Sequence, residues 1–127
     1  MSAYSFAAVG IGAALGAWLR WVLGIGLNAL LPALPLGTLA SNLIGGYLIG
    51  VAVVLFEQYA ALPQELCLFV IIGFLGGLIT YSTFSAESVA LLTSGRYGWA
   101  AAHTLALLAG SIAMTVLGML SVRALTA

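Results

Sequence analysis

Charged residues are almost missing from this chain of 127 residues. It holds three arginines and three glutamates, with no lysine and no aspartate. Roughly a quarter of the residues of an ordinary soluble domain are charged, whereas the charged fraction here is 5%. This composition excludes a soluble globular domain, and the chain also lacks the basic patches that nucleic-acid binding requires.

Side chains that catalyse reactions or bind metals are equally scarce. The chain has one cysteine, Cys67, and one histidine, His103. A metal centre built from side chains needs several converging His, Cys or carboxylate ligands, and a hydrolytic site needs a nucleophile, a base and an orienting group. The sequence therefore predicts that the protein is not an enzyme. His103 has no carboxylate close to it in sequence and is interpreted as an interfacial or packing residue.

Apolar residues dominate instead: 64% of the chain is hydrophobic and its mean hydropathy is +1.24. A membrane-spanning helix needs about 20 apolar residues, so the chain has room for four spans joined by short connections. We predict an all-α integral membrane protein with a single transmembrane domain. The predicted spans cover about residues 4–31, 38–59, 66–94 and 99–125.

The arginines favour neither orientation in the membrane. With four spans, Arg123 lies on one side and Arg96 on the other, while Arg20 lies within the first span. Because Lys and Arg in short loops normally set orientation, this near tie predicts insertion in both directions and an antiparallel homodimer. Three G-x-x-x-G spacings allow close helix packing, either within one chain or between copies. They are Gly12 with Gly16, Gly46 with Gly50, and Gly73 with Gly77.

The third span contains a segment that does not suit a continuous helix. Gly76 and Gly77 precede a cluster of hydroxyl side chains between residues 80 and 85. Glycine and β-branched residues lower helix propensity, and Ser and Thr side chains compete for backbone groups. We therefore predict a break near residues 76–81, where freed carbonyls can coordinate a cation.

Polar side chains in the other spans are candidates for an ion pathway. Asn42 offers amide N–H donors, although an interhelical hydrogen bond would also explain it. In the fourth span, Thr104, Ser111, Thr115 and Gly118 lie on one stripe of the helix. This stripe forms one wall of a polar track, or its hydroxyls bond back to their own helix.

Two aromatic and two charged residues complete the set of candidates. Tyr81 and Phe84 are three residues apart and share a helix face, and the electropositive edges of their rings can face an anion. Packing in the core or against lipid is the alternative. Arg20 and Glu87 are the ionisable residues well inside spans, where they either line a vestibule or extend towards the membrane surface.

Taken together, three segments identify a family. They are Gly12-Ala-Ala-Leu-Gly16-Ala-Trp-Leu-Arg20, Gly37-Thr38-Leu-Ala-Ser-Asn42-Leu-Ile-Gly45 and Gly73-Phe-Leu-Gly-Gly-Leu-Ile-Thr80-Tyr81-Ser82-Thr83-Phe84-Ser85. They resemble the Fluc (CrcB) family of fluoride channels, and the resemblance covers nearly the whole chain. The most specific part usually reads Thr-Thr-Phe-Ser-Thr-Phe in that family. Ile79 replaces the first Thr here, and Tyr81 replaces the first Phe.

The resemblance implies a passive channel that exports fluoride through two pores of a dual-topology antiparallel homodimer, in the inner membrane of a prokaryote. It implies a structural sodium ion at the dimer centre, held by the main-chain carbonyls of Gly76 and Ile79, and a vestibule at Arg20 and Glu87. The implied fluoride pore consists of Asn42, Tyr81, Phe84, Ser82, Thr83, Ser111 and Thr115. The phenol of Tyr81 adds an oxygen to the implied anion site, which either slows conduction or donates a hydrogen bond.

Two other classes of protein are weighed against this one. The first is a small four-helix multidrug exporter, which is proton-coupled. Such exporters share a carboxylate in the first span, whereas the first span of this chain has Arg20 and no acid. A non-transporting membrane assembly subunit would not need hydroxyl clusters at membrane depth, because polar groups are costly there.

Overall fold

Helices make up the protein. A computed structural model describes residues 3–30, 35–79 and 82–126, with only the backbone for Ser82 and Thr83. Within these ranges the chain forms helices and turns and no strand, which confirms the predicted all-α class. The helices are α1 (Ala3–Leu27), α2 (Leu36–Gln58), α3 (Gln64–Leu78), α4 (Ser82–Thr93) and α5 (Tyr97–Thr126). Three of them, α1, α2 and α5, are long and apolar enough to cross a membrane.

The first helix ends before its apolar run does. It stops at Leu27, whereas the run of apolar residues continues to residue 31. A turn follows, in which Leu30 N donates to Leu27 O at 3.1 Å. The side chain of Asn28 explains the change of direction, because its Oδ1 accepts a hydrogen bond of 2.7 Å from Gly37 N in the first turn of α2.

The third helix is irregular along most of its length. Its segment Leu68–Leu75 is a π-helix, a rare form that is often found at functional sites. After Leu78 the backbone of Ile79 becomes extended, with φ −84° and ψ 134°. The helix therefore ends inside the interval 76–81 in which the glycine and hydroxyl content predicts a break. Thr80 and Tyr81 lie outside the described residues.

Glycines allow α1 and α3 to pack with their backbones in contact. A Cβ atom added to Gly12 would lie 2.9 Å from Phe74 N, and one added to Gly16 would overlap Phe74 O. On the opposite helix, a Cβ on Gly73 would lie 2.9 Å from Val9 O, and one on Gly77 would lie 2.5 Å from Ala13 O. Two of the three G-x-x-x-G spacings thus face each other within one chain.

The third spacing joins α2 to α5. A Cβ on Gly46 would lie 2.9 Å from Ser111 O, and one on Gly50 would overlap Thr115 O. Gly118 on α5 makes the reciprocal contact with Tyr47 O of α2. Packing within the chain, one of the two interpretations of these motifs, is therefore what the structure shows. Gly118, which belongs to the predicted stripe on this helix, serves this contact.

We predict that Gly16→Ala destabilises the protein whereas Gly10→Ala does not. The Cβ at Gly16 meets backbone that cannot rotate away, and overpacking of this kind costs about 1 to 3 kcal/mol. Nothing lies within 4 Å of the corresponding position at Gly10, so there the substitution gains the higher helix propensity of alanine. Denaturation in mixed detergent micelles measures both variants. Equal stability of the two would show that α1 and α3 do not pack as described.

Candidate functional site

A cavity of about 390 Å³ lies where α2, α5 and the end of α3 meet. Asn42 contributes an amide to its wall, Ser111 and Thr115 contribute hydroxyls, and Ile79 lies beside them. The structure thus brings together three of the predicted pore residues and one predicted sodium-binding residue. The other lining residues are Gly46, Ile49, Leu107, Leu108, Ile112 and Val116.

The polar groups of this cavity bond to their own helices or have no partner. Asn42 Nδ2 donates to Thr38 O at 2.8 Å, so the bond runs along α2 and not between helices. That bond uses one of the two N–H donors of the amide. Thr115 Oγ1 donates to Ser111 O at 2.9 Å, which is the back-bonded alternative considered for this stripe. Ser111 Oγ is buried and has no partner among the described residues.

The mouth of the cavity is apolar and open. Ile112 is 67% exposed on the single chain, and Leu108 and Val116 are also exposed. They line the cavity together with the amide of Asn42 on α2 and the hydroxyls of Ser111 and Thr115 on α5. The amide of Asn42 and Ser111 Oγ are buried behind these side chains, and a bilayer would leave the open mouth facing hydrocarbon unless another surface covers it.

A second polar cluster surrounds Glu87 on α4. Thr38 Oγ1 donates to Glu87 Oε2 at 2.9 Å, and His103 Nε2 lies 3.6 Å from Glu87 Oε1. The ring of Phe84 packs against His103 with the two centroids 5.3 Å apart. Phe84, a predicted pore aromatic, is thus buried beside His103 and is not among the described residues that line the 390 Å³ cavity.

Arg20 and Glu87, the predicted vestibule residues, line one cavity. It has a volume of about 290 Å³ and is also lined by Asn28 and Thr38. Arg20 Nε donates to Gly77 O at 3.1 Å, so the arginine is held against the end of α3. Glu87 also lines a neighbouring cavity of about 360 Å³ together with Arg96. The two charged side chains thus line one open cavity, and their vestibule role stays a prediction.

The remaining predicted residues divide into two groups. Gly76 is exposed and Ile79 is half-buried at the end of α3, where a helix leaves its last carbonyls without partners in the helix. Tyr81 lies outside the described residues, as do the side chains of Ser82 and Thr83. Their predicted pore roles remain predictions.

Three residues of these clusters were not among the predicted site residues. Asn28 lines both cavities at Glu87, Thr38 binds the carboxylate of Glu87, and His103 is fully buried. Of the two interpretations given for His103, an interfacial or a packing residue, the structure supports packing. A signal was available for it, because Glu87 and His103 are two rare ionisable groups in apolar spans, and such groups usually pair with one another.

We predict that Thr38→Val destabilises the protein by about 1 kcal/mol, the usual net value of one hydrogen bond. Valine keeps the shape of threonine and removes the donor to Glu87 Oε2. Thr38→Ser is the matched control, because it keeps the hydroxyl and removes a methyl group. Denaturation in mixed micelles compares the two. If the valine variant were the more stable one, the hydrogen bond would not contribute as described.

Comparison with known proteins identifies the family of this chain. Residues 7–119 match the family model described as CrcB-like protein, Camphor Resistance (CrcB). A protein of Nitrosospira multiformis is 56% identical over 97% of this chain and 96% of its own. One of Ralstonia pickettii is 59% identical over 97% and 98%, and one of Burkholderia thailandensis is 60% identical over 95% and 94%. All three are named fluoride-specific ion channel FluC, so these relatives are ion channels and not enzymes.

The family model covers most of the chain, and the relatives match this chain over almost its full length. Three helices are able to span a membrane. This protein is therefore a multi-pass membrane protein that belongs to the CrcB family.

Proposed function

We propose that this protein is a passive channel selective for fluoride. The observation that carries the proposal is the cavity lined by Asn42, Ser111 and Thr115, which presents neutral hydrogen-bonding groups at membrane depth. The names of the relatives supply the ion, since all of those described above are fluoride-specific channels.

Neutral donors suit a small and strongly hydrated anion. A pore must replace the water around the ion with groups that are already oriented, yet release the ion quickly. The unpartnered hydroxyl of Ser111 and the second N–H of Asn42 are available for this purpose. No cationic side chain is among the described residues of the cavity wall. An ion therefore meets dipoles there and no fixed positive charge that would hold it.

The cavity is completed in this proposal by a second copy of the chain. On one copy the mouth of the cavity is open at Ile112, while the amide of Asn42 and Ser111 Oγ are buried behind it, so a second copy placed over the mouth would enclose a pore. The near tie of Arg96 and Arg123 supports a partner inserted in the opposite direction. A two-fold symmetric pair would then contain two equivalent cavities, and hence two pores.

Four spans are part of the same proposal. The α3 and α4 segments are each short for a membrane span, and together they form one broken span around residues 79–81. Broken backbone is acceptable at that depth where protein or a water-filled cavity surrounds it. Tyr81, Ser82 and Thr83 follow the break, and we propose that they and Phe84 continue the pore beyond Asn42.

A structural sodium ion is proposed at the same break. Carbonyl oxygens at the end of a half-helix coordinate sodium in other membrane proteins, and the end of α3 at Leu78 fits this chemistry. The main-chain carbonyls of Gly76 and Ile79 would hold the ion. Its charge would then join the two copies at the centre of the dimer.

The proposed location is the inner membrane of a prokaryote, with fluoride leaving the cytoplasm down its own gradient. No energy source is needed for that direction, because fluoride enters cells as the neutral acid and accumulates as the ion. Export would limit its toxicity.

The proposal predicts rapid fluoride efflux from liposomes that contain the protein, with no matching efflux of chloride. An ion-selective electrode follows the release after an ionophore has been added to compensate charge. Asn42→Asp should lower the rate by about tenfold or more, since a carboxylate in the path repels the anion. Efflux no faster than from protein-free vesicles would refute the channel, and unchanged efflux in the variant would remove Asn42 from the pore.

Two serines on α5 provide a matched test of the hydroxyl wall. Ser111 Oγ has no partner among the described residues, whereas Ser121 Oγ donates to Leu117 O at 2.7 Å. Ser111→Ala should slow fluoride efflux about tenfold, the effect of losing one hydrogen bond to an anion. Ser121→Ala should leave the rate unchanged. Equal rates in the two variants would contradict the role of Ser111.

The sodium ion is tested through stability. Binding to the folded protein raises the unfolding temperature, so sodium should stabilise the purified protein more than potassium at equal ionic strength. Thermal unfolding in detergent measures the difference without any transport. The same unfolding temperature in both salts would argue against a sodium site.

A further inference from the structure

Glu87 and His103 form an unusual pair for the interior of a membrane protein. His103 is fully buried, and the side chain of Glu87 is 20% exposed. His103 is the one histidine of the chain, and Glu87 is its one acid within the described part of α4 and α5. Ionisable groups at membrane depth are costly and usually functional, and the pore residues of the proposed channel do not account for this pair.

Three atoms of the pair are buried and have no hydrogen-bond partner among the described residues. Glu87 Oε2 accepts from Thr38 Oγ1, but Oε1 is buried and has no partner among the described residues. The same holds for both ring nitrogens of His103. Oε1 and Nε2 face each other at 3.6 Å, which is too long for a hydrogen bond. A small approach of the two groups would let one proton satisfy both atoms.

The charge balance also favours a single proton. Without one, the pair carries a carboxylate in a medium that penalises buried charge. With one, it is neutral overall, either as a carboxylic acid beside imidazole or as a carboxylate beside imidazolium. The other charged groups near the pair are Arg20, which lines the smaller cavity with Glu87, and Arg96, which lines the larger one. Thr38 is the polar group that faces it from α2.

We propose that Glu87 Oε1 and His103 Nε2 form a proton-binding site that holds one proton between the carboxylate and the imidazole. The proton enters and leaves through the cavity shared by Arg20 and Glu87. When it leaves, the site gains one negative charge next to Phe84. Resting on the proposed function, this inference also predicts that the charge slows the passage of fluoride, so efflux falls as the pH rises.

Because His103 is the sole histidine, its protonation can be observed directly. Nuclear magnetic resonance of ¹⁵N-histidine in the full-length protein in lipid gives the two ring signals between about pH 3 and about pH 9, a range that covers ordinary Glu and His titration. The signals should change in one step, and Glu87→Gln should move this step to lower pH by about one unit or more, because the partner carboxylate is lost.

The unmodified protein provides a second readout that does not depend on the folding of a variant. Infrared difference spectra should show a carboxyl band that changes at the same pH as the ring signals. The shared site would be overturned if Glu87→Gln left the histidine titration unchanged. It would also be overturned if the carboxyl and imidazole signals changed at unrelated pH values.

Fluoride transport tests the predicted effect on function. The release from protein-free vesicles is subtracted at each pH, because the neutral acid also crosses the lipid. Fluoride efflux should fall about tenfold across the pH interval in which the histidine ring signals change, because a carboxylate repels the anion. His103→Gln and Glu87→Gln should each abolish most of that dependence. A wild-type rate that is measurable but constant with pH overturns the predicted control of efflux. A wild-type rate equal to that of empty vesicles refutes the channel itself, and the resonance titration then still decides the proton site.

Discussion

Hydrocarbon offers no hydrogen bonds, so every polar atom within a bilayer must find a partner in the protein or in a water-filled space. The arrangement of this chain follows from that constraint. Asn42 and Thr115 bond back to carbonyls of their own helices, and Arg20 binds the free carbonyl of Gly77 at the end of α3. The buried side-chain nitrogen and oxygen atoms that remain without partners belong to Ser88, Ser111, Glu87 and His103 within the described residues. Three of these four residues lie in the clusters to which we assign function.

Glycine packing makes that arrangement possible. Backbone contact between α1 and α3 holds the broken third helix in place, and backbone contact between α2 and α5 places Asn42 next to Ser111 and Thr115. Both contacts are formed inside one chain, so they do not use the exposed face around Ile112. That face remains free for the second copy that the proposed pore requires.

Much of the fold follows from composition and local chemistry. Apolar runs locate α1, α2 and α5, and the run of glycines and hydroxyls after Gly73 places the end of α3. The end of α1 was not predictable in this way, because it depends on a hydrogen bond between Asn28 and Gly37, which a hydropathy pattern does not contain.

The candidate site shows the same division. Spacing on α5 places Ser111 and Thr115 on one stripe, and the structure joins them to Asn42. The Glu87 cluster was difficult to predict because its members are far apart in sequence, with Thr38 on α2 and His103 on α5. Phe84 is predicted to face an anion, which stays a prediction, and its ring also packs against His103, a contact between helices that the period of its own helix does not reveal.

The central claim is that a second copy covers the polar cavity in the membrane, and spin labels test it most directly. With Cys67 replaced by alanine, labels are placed at Ile112→Cys beside the cavity and at Ile11→Cys on α1, positions that are 67% and 58% exposed on the single chain. Oxygen dissolved in the bilayer reports contact with lipid. The account predicts that the label at residue 112 is immobile and shielded from oxygen while the label at residue 11 is mobile and accessible. Equal access of oxygen to both labels would contradict it.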